Sequence, residues 1–213
     1  MIRLYAMKTD ALPSREELLR QIVLLVDEQK LNTLKSASDE RARESLSGVL
    51  LLQRSLERTG FSPVGERLCY ESLGRPYLES EIVKFSLAHT LGFSVCALEI
   101  GDAFSTSCIG VDVERMQNRT PKSMERIADR WFTADEKMFF FQSSDERRFL
   151  QIWTGKEALS KQSGKGLGEI ALCDAIRPQK DMKLQLYEQD GVIVTVCHSS
   201  REPSPEAIEW IQL

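Results

Sequence analysis

Five consecutive residues, Gly110 Val111 Asp112 Val113 Glu114, constrain the fold of this chain more than any other stretch. Carboxylates alternate there with β-branched residues, so an extended backbone sends Asp112 and Glu114 to one face and the two valines to the other. Two carboxylates on one face of a strand are costly to bury without a cation. The motif alone leaves two readings open, a paired hard-oxygen site or a solvated sheet edge.

A second cluster follows at Trp153 to Lys161. Trp153, Glu157 and Lys161 recur at four-residue steps, so a helix lines them up along one stripe. Such a stripe lets Glu157 complete an oxygen shell around magnesium while Lys161 neutralises a phosphate. The plainer alternative is a surface ion pair beside a core tryptophan. Gly164 Lys165 Gly166 Leu167 comes next, where the glycines free the backbone to turn and Lys165 adds positive charge. A lysine stripe that ends in this turn suits an anionic ligand. His89, in Phe85 Ser86 Leu87 Ala88 His89 Thr90, stands where a predicted strand runs out, and on local grounds alone it reads as a structural residue. Arg43 and Arg75 by themselves read as partners of surface carboxylates.

At 213 residues the chain is long enough for one large domain or two small ones. A hydrophobic share of 42%, a charged share of 28% and a net charge of -4 describe a soluble globular protein without the basicity expected of a nucleic-acid binder. The 5 cysteines are odd in number and scattered, with no CxxC, so neither zinc nor a disulfide framework is expected and a cytoplasmic location is. The opening residues lack a basic-then-apolar leader and no stretch reaches bilayer length, which argues against a membrane.

Ser14 and Glu17 predict a capping box opening a helix with Leu18, Leu19, Ile22, Val23 and Val26 on its apolar side. A second helix is predicted over 39–58, with Gly60 beyond its end. Strands are predicted over 82–87, 93–100 and 108–113. Thr133 with Glu136, and Ser143 with Glu146, read as two further capping boxes, the latter opening a helix to about Gln162. Strands return over 182–197 and 207–212. Both halves thus run from helices to strands, with a changeover near 101–106, a weak sign of duplication.

Gly110 to Glu114, then Trp153 to Ala158 as WxxKEA, then Lys161 and Gly164 to Leu167, together resemble the Sfp-type 4'-phosphopantetheinyl transferases. Gly74 Arg75 Pro76 Tyr77, Phe85 to Thr90 and Arg130 Trp131 Phe132 Thr133 add to the resemblance, which runs from Arg43 to Leu167. It implies an α+β fold of two similar lobes related by a pseudo-twofold axis, divided as 1–102 and 103–213, with coenzyme A in the cleft between them. It implies transfer of 4'-phosphopantetheine from coenzyme A to a serine of an apo acyl or peptidyl carrier protein, with magnesium as cofactor and release of adenosine 3',5'-bisphosphate. Asp112, Glu114 and Glu157 match the metal ligands; Glu157 and Lys161 match the catalytic pair. Arg43, Arg75, His89, Lys156 and Lys161 match coenzyme A contacts, with Lys30 and Lys35 as further candidates near the N-terminal end. Arg75 stands where lysine is common, and Ala88 where serine is common. The expected protein is a cytoplasmic monomer serving fatty-acid, polyketide or non-ribosomal peptide synthesis. Rival expectations are a metal-dependent phosphohydrolase and a coenzyme A or carrier-binding protein without transfer.

Overall fold

The computed structural model describes residues 1–26, 28–100, 108–166, 168, 171, 173–199 and 201–212, with the backbone alone at 28–30 and 35. The elements run β1 (Ile2–Lys8), α1 (Arg15–Gln21), β2 (Leu25–Val26), α2 (Glu28–Ser36), α3 (Asp39–Arg58), β3 (Arg67–Tyr70), β4 (Pro76–Leu78), β5 (Val83–Thr90) and β6 (Phe93–Ile100). They continue with β7 (Ile109–Arg115), α4 (Pro121–Trp131), α5 (Ala134–Phe141), α6 (Glu146–Ser163), β8 (Lys183–Gln189), β9 (Val192–His198) and β10 (Glu209–Trp210). The fold is α+β, with three sheets ordered β10-β1-β6-β5, β2-β3-β4 and β7-β9-β8.

Two of these sheets share a plan. In the first, β1 pairs antiparallel with β6 and β6 with β5; in the other, β7 pairs antiparallel with β9 and β9 with β8. Between the first strand and the hairpin of each unit lies a long helix, α3 in one and α6 in the other. The strand periodicity makes the layers. Ile2, Leu4, Ala6, Val95 and Ala97 from the first sheet join Val111, Val113, Val194 and Val196 from the other in one apolar core. Residues on the opposite face of the first sheet, such as Tyr5, Met7, Cys96 and Leu98, pack with Leu46, Leu50 and Leu52 of α3. The changeover expected near 101–106, and with it the 102/103 division, lies outside the described residues. β10 runs parallel to β1, so a strand from the C-terminal half belongs to the sheet of the N-terminal half.

Several local expectations need correction. α1 stops at Gln21, because Ile22 turns extended, and Val26 belongs to β2 rather than to a longer helix. The cap of α6 is Asp145, whose carboxylate accepts the Arg148 N–H at 2.8 Å, while the Ser143 hydroxyl donates to that carboxylate. The Thr133–Glu136 capping box is present, with both reciprocal bonds formed. Among the described residues no helix is long and apolar enough to cross a membrane.

Candidate active site

The alternation in β7 puts Gly110, Asp112 and Glu114 on the face turned to α6. Gly110 admits the helix at close range: a Cβ there would lie 2.0 Å from the Ala158 carbonyl oxygen and 2.5 Å from the Gln162 nitrogen. That approach brings Lys161 Nζ to Asp112 Oδ1 at 2.8 Å. Glu114 Oε2 accepts from Arg119 Nη2 at 2.7 Å. Glu157 lies one turn before Lys161 on the same helix, half-buried. The third member of the stripe, Trp153, instead stacks on Phe149 in the core, ring centroids 6.3 Å apart.

The electrostatics tie the three carboxylates together. Burial, reinforced by the charges of Asp112 and Glu114 and opposed by Lys161, pushes the Glu157 carboxyl up to about 7. Burial also raises Asp112, against the pull of Lys161, the Val113 N–H and His89. Glu114 is raised by burial as well, with Arg119 opposing and Asp112 adding to the rise. A carboxylate that holds its proton to about pH 7 beside two others is short of positive charge. Hard oxygen donors of this kind suit a magnesium ion. Among the described residues, however, no three such donors are gathered closely enough to hold a metal as they stand. Two of them face cations of the chain itself.

A cleft of ≈ 300 Å³ opens beside this cluster, lined by Arg75, Ser86, Glu157, Ser160 and Lys161 and by the turn at Gly164 and Gly166. It lies between β4 and β5 on one side and the C-terminal end of α6 on the other. Gly164 adopts φ 70 and ends the helix, its N–H donating to the Ser160 carbonyl at 3.0 Å. Arg75 packs over it: Nη1 lies 3.1 Å from where a Cβ at Gly164 would stand. The turn that carries Arg75 is closed by the Gly74 N–H on the Glu71 carbonyl at 2.8 Å and the Glu71 N–H on the Arg75 carbonyl at 2.9 Å. Ser86 accepts the Val111 N–H at 3.0 Å and so joins β5 to β7 at the cleft. An adjoining groove of ≈ 350 Å³ shares Arg75, Pro76 and Phe85 and adds Lys84.

The remaining expected contacts divide. His89 is exposed near the end of β5, close enough for its charge to act on Asp112 after burial and Lys161 have acted. Arg43 stands one turn before Ser47, whose Oγ lies 2.9 Å from Ser94 Oγ, and Ser94 is the register partner of His89. Its guanidinium donates to the Pro13 carbonyl at 3.2 Å and to the Leu12 carbonyl, so it ties the segment after β1 to α3. Lys156 is not brought to the cleft. It is 0% exposed, with Nζ 2.8 Å from Glu136 Oε2 and bonded to the Cys173 carbonyl. One residue of rotation about α6 separates it from Glu157, enough to turn it toward α5. The side chains of Lys30 and Lys35, and Leu167, lie outside the described residues. Arg119, Ser86 and Ser160 were not singled out from sequence; only the five-residue distance from Glu114 to Arg119 hints at one of them.

Residues 108–202 match the family model described as the 4'-phosphopantetheinyl transferase superfamily. The matched segment carries β7, α6 and all three carboxylates. Over that segment the chain is similar to that superfamily. It is 30% identical over 134 residues to the 4'-phosphopantetheinyl transferase HetI of Nostoc sp., covering 59% of this chain and 54% of HetI. To Sfp of Bacillus subtilis it is 26% identical over 195 residues, covering 89% of this chain and 83% of Sfp. With ffp of Bacillus subtilis the identity is 25% over 229 residues, covering 99% and 97% of the two chains. The similarity to HetI thus spans about half of that relative, and the similarity to the two Bacillus transferases most of each. Among transferases of that superfamily, the similarity that spans most of the chain is to Sfp and ffp.

Proposed function

We propose that this protein transfers 4'-phosphopantetheine from coenzyme A to a serine hydroxyl of an apo carrier protein and releases adenosine 3',5'-bisphosphate. The observation that carries the proposal is the meeting of Asp112, Glu157 and Lys161 at the mouth of a cleft whose other wall holds Arg75. The cations Arg75, from the β4 side, and Lys161, from α6, bind and orient the phosphates, and the His89 ring near the end of β5 adds a polar contact. The serine oxygen forms a bond to the β-phosphorus as the bond from that phosphorus to the bridging oxygen breaks. Lys161 stabilises or protonates the departing phosphate oxygen. Glu157 is placed first as a metal ligand and second as acceptor of the serine proton, directly or through water; a carboxyl near pH 7 suits that second task.

Asp112, Glu114 and Glu157 are the residues that would hold magnesium, which supplies charge neutralisation on the pyrophosphate. Arg43, whose guanidinium ties the Leu12 and Pro13 carbonyls to α3, is assigned to the outer phosphate region. The carrier is an acyl or peptidyl carrier protein of fatty-acid, polyketide or non-ribosomal peptide synthesis, met in the cytoplasm by a monomeric enzyme.

Intact-mass spectrometry of apo carrier proteins incubated with this protein, coenzyme A and magnesium tests the reading. The expected result is a gain of one phosphopantetheine on the carrier, abolished by a chelator. Coenzyme A binding without any gain across diverse carriers would overturn transfer in favour of a binding role. Nucleotide or phosphate release without an acceptor would indicate a hydrolase.

A further inference from the structure

Arg119 touches both Glu114 of the carboxylate pair and Glu146 at the start of the helix bearing Glu157. Its Nη2 lies 2.7 Å from Glu114 Oε2, and its Nη1 lies 2.8 Å from Glu146 Oε1 and 2.9 Å from the Arg115 carbonyl. Glu146, the first residue of α6, accepts two further bonds, from the Gln117 N–H at 2.9 Å and the Asn118 N–H at 2.8 Å. Asn118 takes φ 56, so the chain turns sharply there and presents these donors to one carboxylate. Both ends of the guanidinium are only partly exposed, with side-chain exposures of 23% for Arg119, 24% for Glu114 and 13% for Glu146. The fork therefore spans from β7 to the beginning of α6, the two elements that carry the three carboxylates.

We propose that Arg119 is a positioning residue that holds Glu114 with an internal cation and thereby sets how tightly the site takes magnesium. The inference rests on the transferase reading above. An incoming divalent ion and the guanidinium compete for the same Glu114 oxygen. Glu146 is what lets the exchange happen without stranding a charge: it retains Nη1 while Nη2 is given up. A planar two-pronged donor can do this, whereas an ammonium meets one carboxylate at a time. The arrangement trades metal affinity for alignment. While Arg119 is present, Glu114 stays on the α6 side and metal binding is weakened.

The test is calorimetric titration of magnesium into the coenzyme A-loaded protein without carrier, in wild type, Arg119→Gln, Arg119→Lys and Asp112→Asn. Removal of one positive charge beside a divalent ion predicts roughly tenfold tighter magnesium binding in Arg119→Gln. Arg119→Lys keeps the charge but loses the span, and binding is expected to tighten several-fold, on the order of the smaller electrostatic changes seen for partly exposed pairs. Carrier modification at saturating magnesium falls in both, because Glu114 is no longer aligned. A structural role alone would lower the unfolding temperature and leave magnesium affinity unchanged or weaker, and that result overturns the inference. If Arg119→Gln does not fold, Arg119→Lys alone decides it. Should Asp112→Asn abolish binding while both arginine variants match wild type, this inference fails and the transferase reading stands. Absence of any Asp112-dependent magnesium binding in wild type overturns the metal assignment and this inference with it, while the transferase reading stands or falls on carrier modification.

Discussion

Replacing Lys156 with methionine would leave the Glu136 carboxylate at 0% exposure without its counter-charge. Glu136 organises three segments: Oε2 accepts from Lys156 at 2.8 Å and from the Thr133 N–H at 2.8 Å, and Oε1 accepts from the Ala175 N–H at 2.7 Å. The carboxylate cannot leave its pocket without breaking the cap of α5 and the dock of the segment at 173–175. Removal of one partner from a buried pair costs about 3–5 kcal/mol, because the charge that remains is neither solvated nor neutralised. For a chain of this length each kcal/mol lowers the unfolding temperature by about 2–4 °C, which gives a fall of roughly 6–20 °C. Differential scanning calorimetry measures this, and adding Glu136→Gln to Lys156→Met should recover a large part of it by removing the stranded charge. Coenzyme A affinity, measured well below the lowered transition, should stay within about twofold of wild type. A variant of unaltered stability with coenzyme A binding lost would refute the reasoning and return Lys156 to the cleft.

Gly110→Ala places a methyl group 2.0 Å from a backbone carbonyl, so β7 and α6 must part, and transfer should fall by at least an order of magnitude even where the protein remains folded. Single-turnover rates at saturating coenzyme A check this; near-wild-type rates would mean the strand and helix need not touch. Asp112→Ala should weaken magnesium use and sharply reduce transfer with little change in far-ultraviolet circular dichroism, while full turnover at limiting magnesium would reject the assignment. The Glu157 carboxyl is raised from 4.5 to about 7 on folding, so the folded state binds the extra proton between those values. Its contribution to stability is therefore fully present below pH 4.5 and is lost as pH rises through about 7 in metal-free protein. Glu157→Gln should flatten that part of the pH profile of thermal unfolding; an unchanged slope would show that the carboxyl is not strained by its neighbours.

Helix α3 was legible from sequence because its leucines recur on one face and its ends are marked locally, and the α5 capping box because donor and acceptor stand three residues apart. The Ser143–Glu146 reading failed for the opposite reason: Glu146 has a stronger, distant set of partners in Gln117, Asn118 and Arg119, and Asp145 takes over the cap. The start of α4 was not singled out, although Thr120 and Pro121 carry the usual signals of a helix start. At the site, the alternation in β7 and the four-residue step from Glu157 to Lys161 were readable because side-chain direction follows backbone period. Lys156 was not, since its direction relative to the cleft depends on how α6 is rolled against β7. The Gly110 contact that sets this roll joins residues 48 or more positions apart.

The repeated plan of the two sheets carries opposite chemistry on corresponding strands. In β1 the helix-facing positions Tyr5 and Met7 are buried core, while in β7 the helix-facing positions are Asp112 and Glu114. The N-terminal half brings Arg75 to the seam and His89 near it, and the unit built on β7 brings the acids and Lys161. On the proposed function, a phosphate-bearing ligand in that seam would be held by both units at once and would act as a cross-brace between them. Occupancy and cohesion would then be a single equilibrium: whatever binds across the seam would raise the cost of separating the halves by the free energy of its own binding.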